Sequence, residues 1–111
     1  MKKLEIIKSS REYTEIINTN KCKRNKYFSV YYRKNNDKNK YGITVPKKTG
    51  TAVIRNKIKR RVKNIIDNNK NIVQKNYDYV IIVKKGIIDL TYQELSCELI
   101  NTFKKVGKYE K

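Results

Sequence analysis

Arg55, Asn56, Lys59, Arg60 and Lys63 share the stretch Ala52–Lys63, AVIRNKIKRRVK. Their spacing sets them on neighbouring positions of one helix side. Such a row binds polyanions: guanidinium groups grip phosphate as planar forks, ammonium groups act as point charges, and an amide adds directed donors. Ile58, Val62, Ile65 and Ile66 fill an adjacent arc of roughly 100°, with Ile54 in the same series, which gives the helix a side to bury. Arg55 lies close to that arc but in the first turn, where it can reach past the edge of a core. No Asp or Glu falls between Lys40 and Ile66, so i,i+4 salt bridges cannot account for the charge. Just upstream, Val45-Pro46-Lys47-Lys48-Thr49-Gly50-Thr51 adds two lysines and a glycine turn. Free N–H groups and the helix dipole favour phosphate there. The competing use of any charged helix face is simple solvation.

The residues of protein-based catalysis are missing. The chain has no His, its acids are scattered, and no pair of carboxylates stands near the basic helix. Cys22 and Cys97 have no CxxC spacing and no His to complete a zinc site; they read as reduced thiols of a cytosolic protein. No phosphate-cradling Gly-rich loop occurs. The chain therefore reads as a binder. Its 111 residues make one domain with a modest core, and a net charge of +18 calls for an anionic partner. Nucleic acid comes first and an acidic membrane second. No run approaches the ~20 apolar residues of a membrane helix. The apolar part of MKKLEIIKSSREY is too short for a signal peptide, so the expected location is cytoplasmic, with no membrane partner.

These side chains need elements to position them. Residues 1–8 read as a mobile basic arm. Ser9-x-x-Glu12 fits a capping box that starts a helix, with Tyr13, Ile16 and Ile17 on one face. Asn18-Thr19-Asn20 stops it, and Lys21–Lys26 reads as a lysine-rich link. Tyr27–Arg33, YFSVYYR, is a strand whose Phe28, Val30 and Tyr32 alternate with Tyr27, Ser29 and Tyr31. Two aromatic faces are more than one core requires. Lys34–Lys40 reads as a polar turn between antiparallel strands. Tyr41–Val45 follows as a strand, with Ile43 and Val45 opposite Gly42 and Thr44, and Pro46 at its end. After the basic helix and a polar Asp67–Asn71, the continuous apolar run Tyr79–Val83 indicates a strand covered on both faces beside a parallel neighbour. Gly86 breaks it. Thr91-x-x-Glu94 opens a last helix with Tyr92, Leu95, Leu99, Phe103 and Val106 on one side. Lys104–Lys111 is expected to fray, residues 107–111 above all. Helix, strands, helix, strand, helix make a single-domain α+β sandwich, helices around a small sheet.

The stretch GITVPKKTGTAVIRNKIKRRVK resembles the signature of the bacterial ribonuclease P protein component: a strand, Lys-Lys-x-Gly, then a helix opening near Ala-Val-x-Arg-Asn-x-x-Lys-Arg. Lys47, Lys48, Gly50, Ala52, Val53, Arg55, Asn56, Lys59 and Arg60 match. Lys57 replaces the family's Arg, Lys63 stands where many members have Arg, and Thr51 stands where Asn is usual. Lysine keeps the charge at 57 and 63 but not the planar fork. The resemblance implies the order αβββαβα, a small mixed sheet, and a left-handed βαβ crossover where general chirality rules give a right-handed one. It implies a subunit of ribonuclease P whose RNA partner is the ribozyme and holds the catalytic Mg²⁺. Lys47, Lys48, Arg55, Asn56, Lys57, Lys59, Arg60 and Lys63 would bind that RNA, with no metal site on the protein alone. Tyr13, Ile17, Tyr31 and Thr44 would line a cleft for the single-stranded 5′ leader of precursor tRNA. Aromatic rings interleaved with cations hold single strands without strict base readout. Ile17 departs from the family's usual Phe, and core packing competes for Tyr13 and Tyr31. A basic ribosomal protein is the nearest alternative; a self-sufficient small ribonuclease and a nucleoid DNA binder stand further off.

The excess positive charge carries its own test. Self-repulsion should make the isolated chain marginally stable in low salt, and bound sulfate or polyphosphate should stabilise it. At pyrophosphate about 100-fold above its dissociation constant, linkage contributes about 2.7 kcal/mol. The melting midpoint should then rise by about 10 °C or more. A midpoint unchanged by pyrophosphate would count against an anion-binding surface.

Overall fold

Apolar or aromatic residues fill all but one position, Asp78, of the segment from Tyr77 to Val83, and the sheet is assembled around it. The computed structural model describes residues 6–106. In chain order the elements are helix α1 (Ser10–Asn18), strands β1 (Cys22–Arg24), β2 (Phe28–Lys34) and β3 (Lys40–Thr44), helix α2 (Ala52–Asn68), strand β4 (Tyr77–Val83) and helix α3 (Tyr92–Lys105). Short 3-10 turns at Lys47–Thr49 and Lys85–Asp89 precede α2 and α3. This is the αβββαβα order, with one mixed sheet ordered β1-β2-β4-β3. β4 runs antiparallel to β2 and parallel to β3.

β4 has two covered faces because its residues alternate between two apolar clusters. Tyr79, Ile81 and Val83 join Phe28, Val30 and Tyr32 of β2 and Tyr41 and Ile43 of β3. Against them pack Ile58, Val62, Ile65 and Ile66 of α2 and Leu95, Leu99 and Phe103 of α3. Tyr79 stacks on Tyr41 with ring centroids 5.6 Å apart and meets Phe103 edge-on at 5.2 Å. On the opposite face Val80 packs with Ile16 of α1 and with Ile7. Thr91 and Glu94 form a reciprocal capping box at the start of α3. Hydrogen bonds from the Thr91 backbone N–H and then from its side chain hold the Glu94 carboxyl below its usual range.

Several expectations are corrected. The lysine-rich link contains strand β1, whose Cys22 pairs with Tyr31 and Arg24 with Ser29. The Asn25 side chain makes the turn possible: its Oδ1 accepts from the Tyr27 and Phe28 N–H groups at 2.8 and 3.0 Å. Charged residues are at home on such an edge strand, where they discourage pairing with another chain. Lys34–Lys40 does not join adjacent strands, because β4 lies between β2 and β3. Alternation tells which face a residue takes, not which strand lies next to it. This link is instead tied to the loop before β4. Asn35 N–H donates to the Asn76 carbonyl at 2.8 Å, and Asn39 Oδ1 accepts from Tyr77 N–H at 2.8 Å. Asn76 takes a positive φ of 67°, which asparagine tolerates.

The expected arm over residues 1–8 ends sooner at its inner side. Ile6 bridges Tyr41 in parallel, and Ile7 N–H donates to the Tyr41 carbonyl at 3.0 Å, so both are docked on the β3 edge. The arm's residues 1–5 and the tail 107–111 lie outside the described residues. Lys104 and Lys105 belong to α3 and Val106 is buried, so fraying does not begin at Lys104. Tyr92 and Ile54 leave their apolar stripes for partial exposure, each being at the very start of its helix.

Ile16 is fully buried and ties α1 to the sheet. Ile16→Ala should cost about 2–5 kcal/mol in urea unfolding, as other buried Ile→Ala changes do. A loss below about 0.5 kcal/mol would mean that α1 is not part of the cooperative fold.

Candidate nucleic-acid interface

The cationic row is held by the way α2 starts. Pro46 ends the extended chain, Lys47–Thr49 makes one 3-10 turn, and the Thr51 hydroxyl accepts from Ile54 N–H at 3.3 Å. Gly50 lets the chain pass close by, since a Cβ there would sit 3.1 Å from Ile54 Cγ2. With Ile58, Val62, Ile65 and Ile66 buried, Asn56, Lys57, Lys59 and Arg60 are left exposed beside Lys47 and Lys48. Lys63, Arg61 and Arg55 are half-buried at the two margins. The Arg55 Nε is enclosed and has no hydrogen-bond partner among the described residues, nor does Thr49 Oγ1 in the turn before it. None of these cations has a carboxylate partner among the described residues; Arg33–Asp78 and Lys70–Asp67 pair elsewhere.

The second surface emerges from strand register. Cys22, Tyr31, Val80 and Gly42 lie side by side across the four strands on the α1 side of the sheet. Arg24, Ser29, Ile82 and Thr44 form the next row, and Arg33, Asp78 and Lys40 the one on the other side. α1 crosses the Val80 row, and Tyr13, Ile17, Tyr31 and Ile82 remain partly buried around it. Tyr13 lies directly over Gly42, so closely that any β-carbon there would overlap its phenol. Its hydroxyl shares hydrogen bonds with the Thr44 side chain and the Ile43 backbone. Burial pushes the Tyr13 pKa up, so it stays a neutral phenol through the physiological range. Tyr13, Ile17, Tyr31 and Thr44 thus share the α1 side of the sheet.

Residues that sequence reasoning missed complete the groove. Ile82 stands between Ser29 and Thr44 in the row next to Tyr31, and Arg33 donates to Asp78 at 2.8 Å while Asn35 donates to the other carboxylate oxygen at 2.7 Å. Alternation along β4 would have put 78, 80 and 82 together, but an apolar residue at nearly every position hides the faces. The two surfaces also meet. A cavity of about 220 Å³ at the β3 edge is lined by Tyr13 together with Lys59 and Lys63 of α2. Among the described residues no group of three or more His, Cys, Asp or Glu side chains is placed to hold a metal ion.

Comparison with known proteins agrees with this geometry. A family model described as Ribonuclease P matches residues 1–107. The ribonuclease P protein component of Mycoplasma capricolum is 42% identical over 108 residues, covering 96% of this chain and 99% of that one. The structure of the RNase P protein from Thermotoga maritima superposes with a TM-score of 0.85 at 32% identity, covering 92% of this chain and 97% of that one. The Staphylococcus aureus RNase P protein gives a TM-score of 0.83 at 29% identity, over 90% and 93%.

The close approach of Tyr13 to Gly42 can be measured. Gly42→Ala should destabilise the fold by about 1–3 kcal/mol through overpacking. Tyr13→Ala should relieve much of that, so a double-mutant cycle should show coupling of at least about 0.5 kcal/mol. Strict additivity would mean that the ring does not lie there.

Proposed function

The chain belongs to the ribonuclease P protein family, and from that premise we propose that it is the protein subunit of a tRNA-processing ribonucleoprotein of the bacterial cytoplasm. Its basic α2 face binds the catalytic RNA subunit, and its groove holds the single-stranded 5′ leader of precursor tRNA. Removal of the leader gives the mature 5′ end. The observation that carries this reading is the junction of the two surfaces: Lys59 and Lys63 share a cavity with Tyr13. A strand lying in the groove can therefore run onto the cationic helix without leaving the protein.

The chain's share in the reaction is binding and orientation. Tyr31 and Tyr13 offer ring surface to leader bases, each stacked base contributing about 1–3 kcal/mol. Ile17 and Ile82 offer apolar contact but no stacking. Arg33, oriented by Asp78, supplies a fixed charge at the groove's other end. Lys47, Lys48, Arg55, Asn56, Lys57, Lys59, Arg60 and Lys63 neutralise phosphates of the RNA subunit, releasing counterions. On this reading Mg²⁺, an ion that takes oxygen ligands, is held mainly by the RNA subunit. Only the precursor has a leader, so the protein favours precursor over mature tRNA.

The decisive experiment mixes the chain with the ribozyme RNA at low Mg²⁺ and follows leader removal. Tyr31→Ala should weaken precursor binding about tenfold and leave mature tRNA unaffected. Equal losses for both tRNAs would remove the groove from leader binding. Arg60→Gln should impair assembly with the RNA subunit and make its salt dependence shallower.

A further inference from the structure

On the flank of α2 away from the groove lies a small apolar socket that none of these roles uses. It is lined by Ile54 and Ile58 of α2, Ile87 and Ile88 of the 3-10 turn, Leu90, and Leu95 of α3, and holds about 150 Å³. Ile54 and Ile88 stand at its mouth with 37% and 45% of their surface exposed, and Val53 beside them is 77% exposed. A cluster of exposed β-branched side chains on a chain so rich in charge asks for an occupant. The remaining lining residues are Lys57 and Arg61, one helical turn apart, and no acidic residue lines the socket. Lys57 lies next to Asn56 on the exposed part of α2, so the rim continues the cationic face.

Resting on the RNA-binding reading of α2, we propose that this socket receives one unstacked nucleobase of the RNA subunit. The rim sets the chemistry of the occupant. An apolar side chain of a protein partner would bring no charge for Lys57 and Arg61 to meet. A nucleobase is flat, tolerates aliphatic walls on its faces, and carries phosphates on either side of its sugar. Those phosphates lie within reach of two cations set i and i+4 on one helix. The socket would thus add a contact to a base, whereas a row of phosphate contacts positions the RNA on α2 without reading any base. It would also account for apolar residues in the first turn of a helix whose polar side is otherwise cationic.

The test uses the full chain assembled with the RNA subunit. Ile54→Ser and Ile88→Ser should each weaken that complex about tenfold, the scale of losing one buried apolar wall. Their salt slopes should match the unsubstituted chain, because no phosphate contact is lost. Lys57→Gln should instead lower the slope by about one phosphate's worth, roughly 0.7–0.9. Thermal melts of each variant check folding, and a benzophenone side chain at position 88 should crosslink to a single nucleotide. Unchanged affinity in both Ser variants, or a crosslink to protein only, would overturn the socket while leaving RNA binding by α2 in place. Failure of the unsubstituted chain to bind the RNA subunit would overturn both.

Discussion

Burial of β4 on both faces is the constraint from which the rest follows. Val80 and Ile81 are both inaccessible to solvent although they point to opposite sides of the sheet. A slip of one residue would exchange the two sets and break the stacking of Tyr79 on Tyr41 and Phe103. The strand therefore takes the inner position, with β2 and β3 on either side, and needs a cover above and below. Two helices cover one face. The other face receives one helix among the described residues, α1, nine residues long, with Ile7 beside it. Such a helix measures about 14 Å by 10 Å, less than the area of a four-stranded sheet. The groove holding Tyr31, Ile82 and Thr44 is what α1 leaves uncovered.

The charge is arranged by the same division. With both β4 faces apolar, cations can occupy only the outer sides of elements and the links between them. The few acids are used locally. Asp78 accepts from Arg33 and Asn35, Glu94 caps α3, and Glu98 accepts from Asn25 at 3.2 Å. Each fixes a strand end, a helix start or a turn, and none is set against α2. The basic face consequently carries its charge without protein counter-charges among the described residues, and stays available to a polyanion.

The parts of the site legible in the sequence were those within a single element. Helical spacing separated Ile58, Val62, Ile65 and Ile66 from Asn56, Lys59 and Arg60, and the structure keeps that separation. Strand alternation set Tyr32 and Tyr31 on opposite faces, and the structure puts Tyr32 in the main core and Tyr31 on the α1 side. What went unread lay between elements. β1 was hidden by its lysines, since an edge strand with one outer side needs no apolar pattern. Ile82 was hidden inside a run without alternation, and Arg33 had no visible partner until β2 met β4.

The amino-acid pattern by itself determined every element except β1, the faces they bury, the uncompensated charge of α2 and the lack of histidine. These are properties of periodicity and residue type, and both act over a few residues. Only the tertiary structure decided that β4 lies between β2 and β3, that α1 sits over Gly42 and Val80, and that Tyr13 reaches the same cavity as Lys59 and Lys63. Those contacts join residues some 30 to 65 positions apart. Which strand lies beside which is chosen by the summed burial of every face at once, and no local stretch contains that sum.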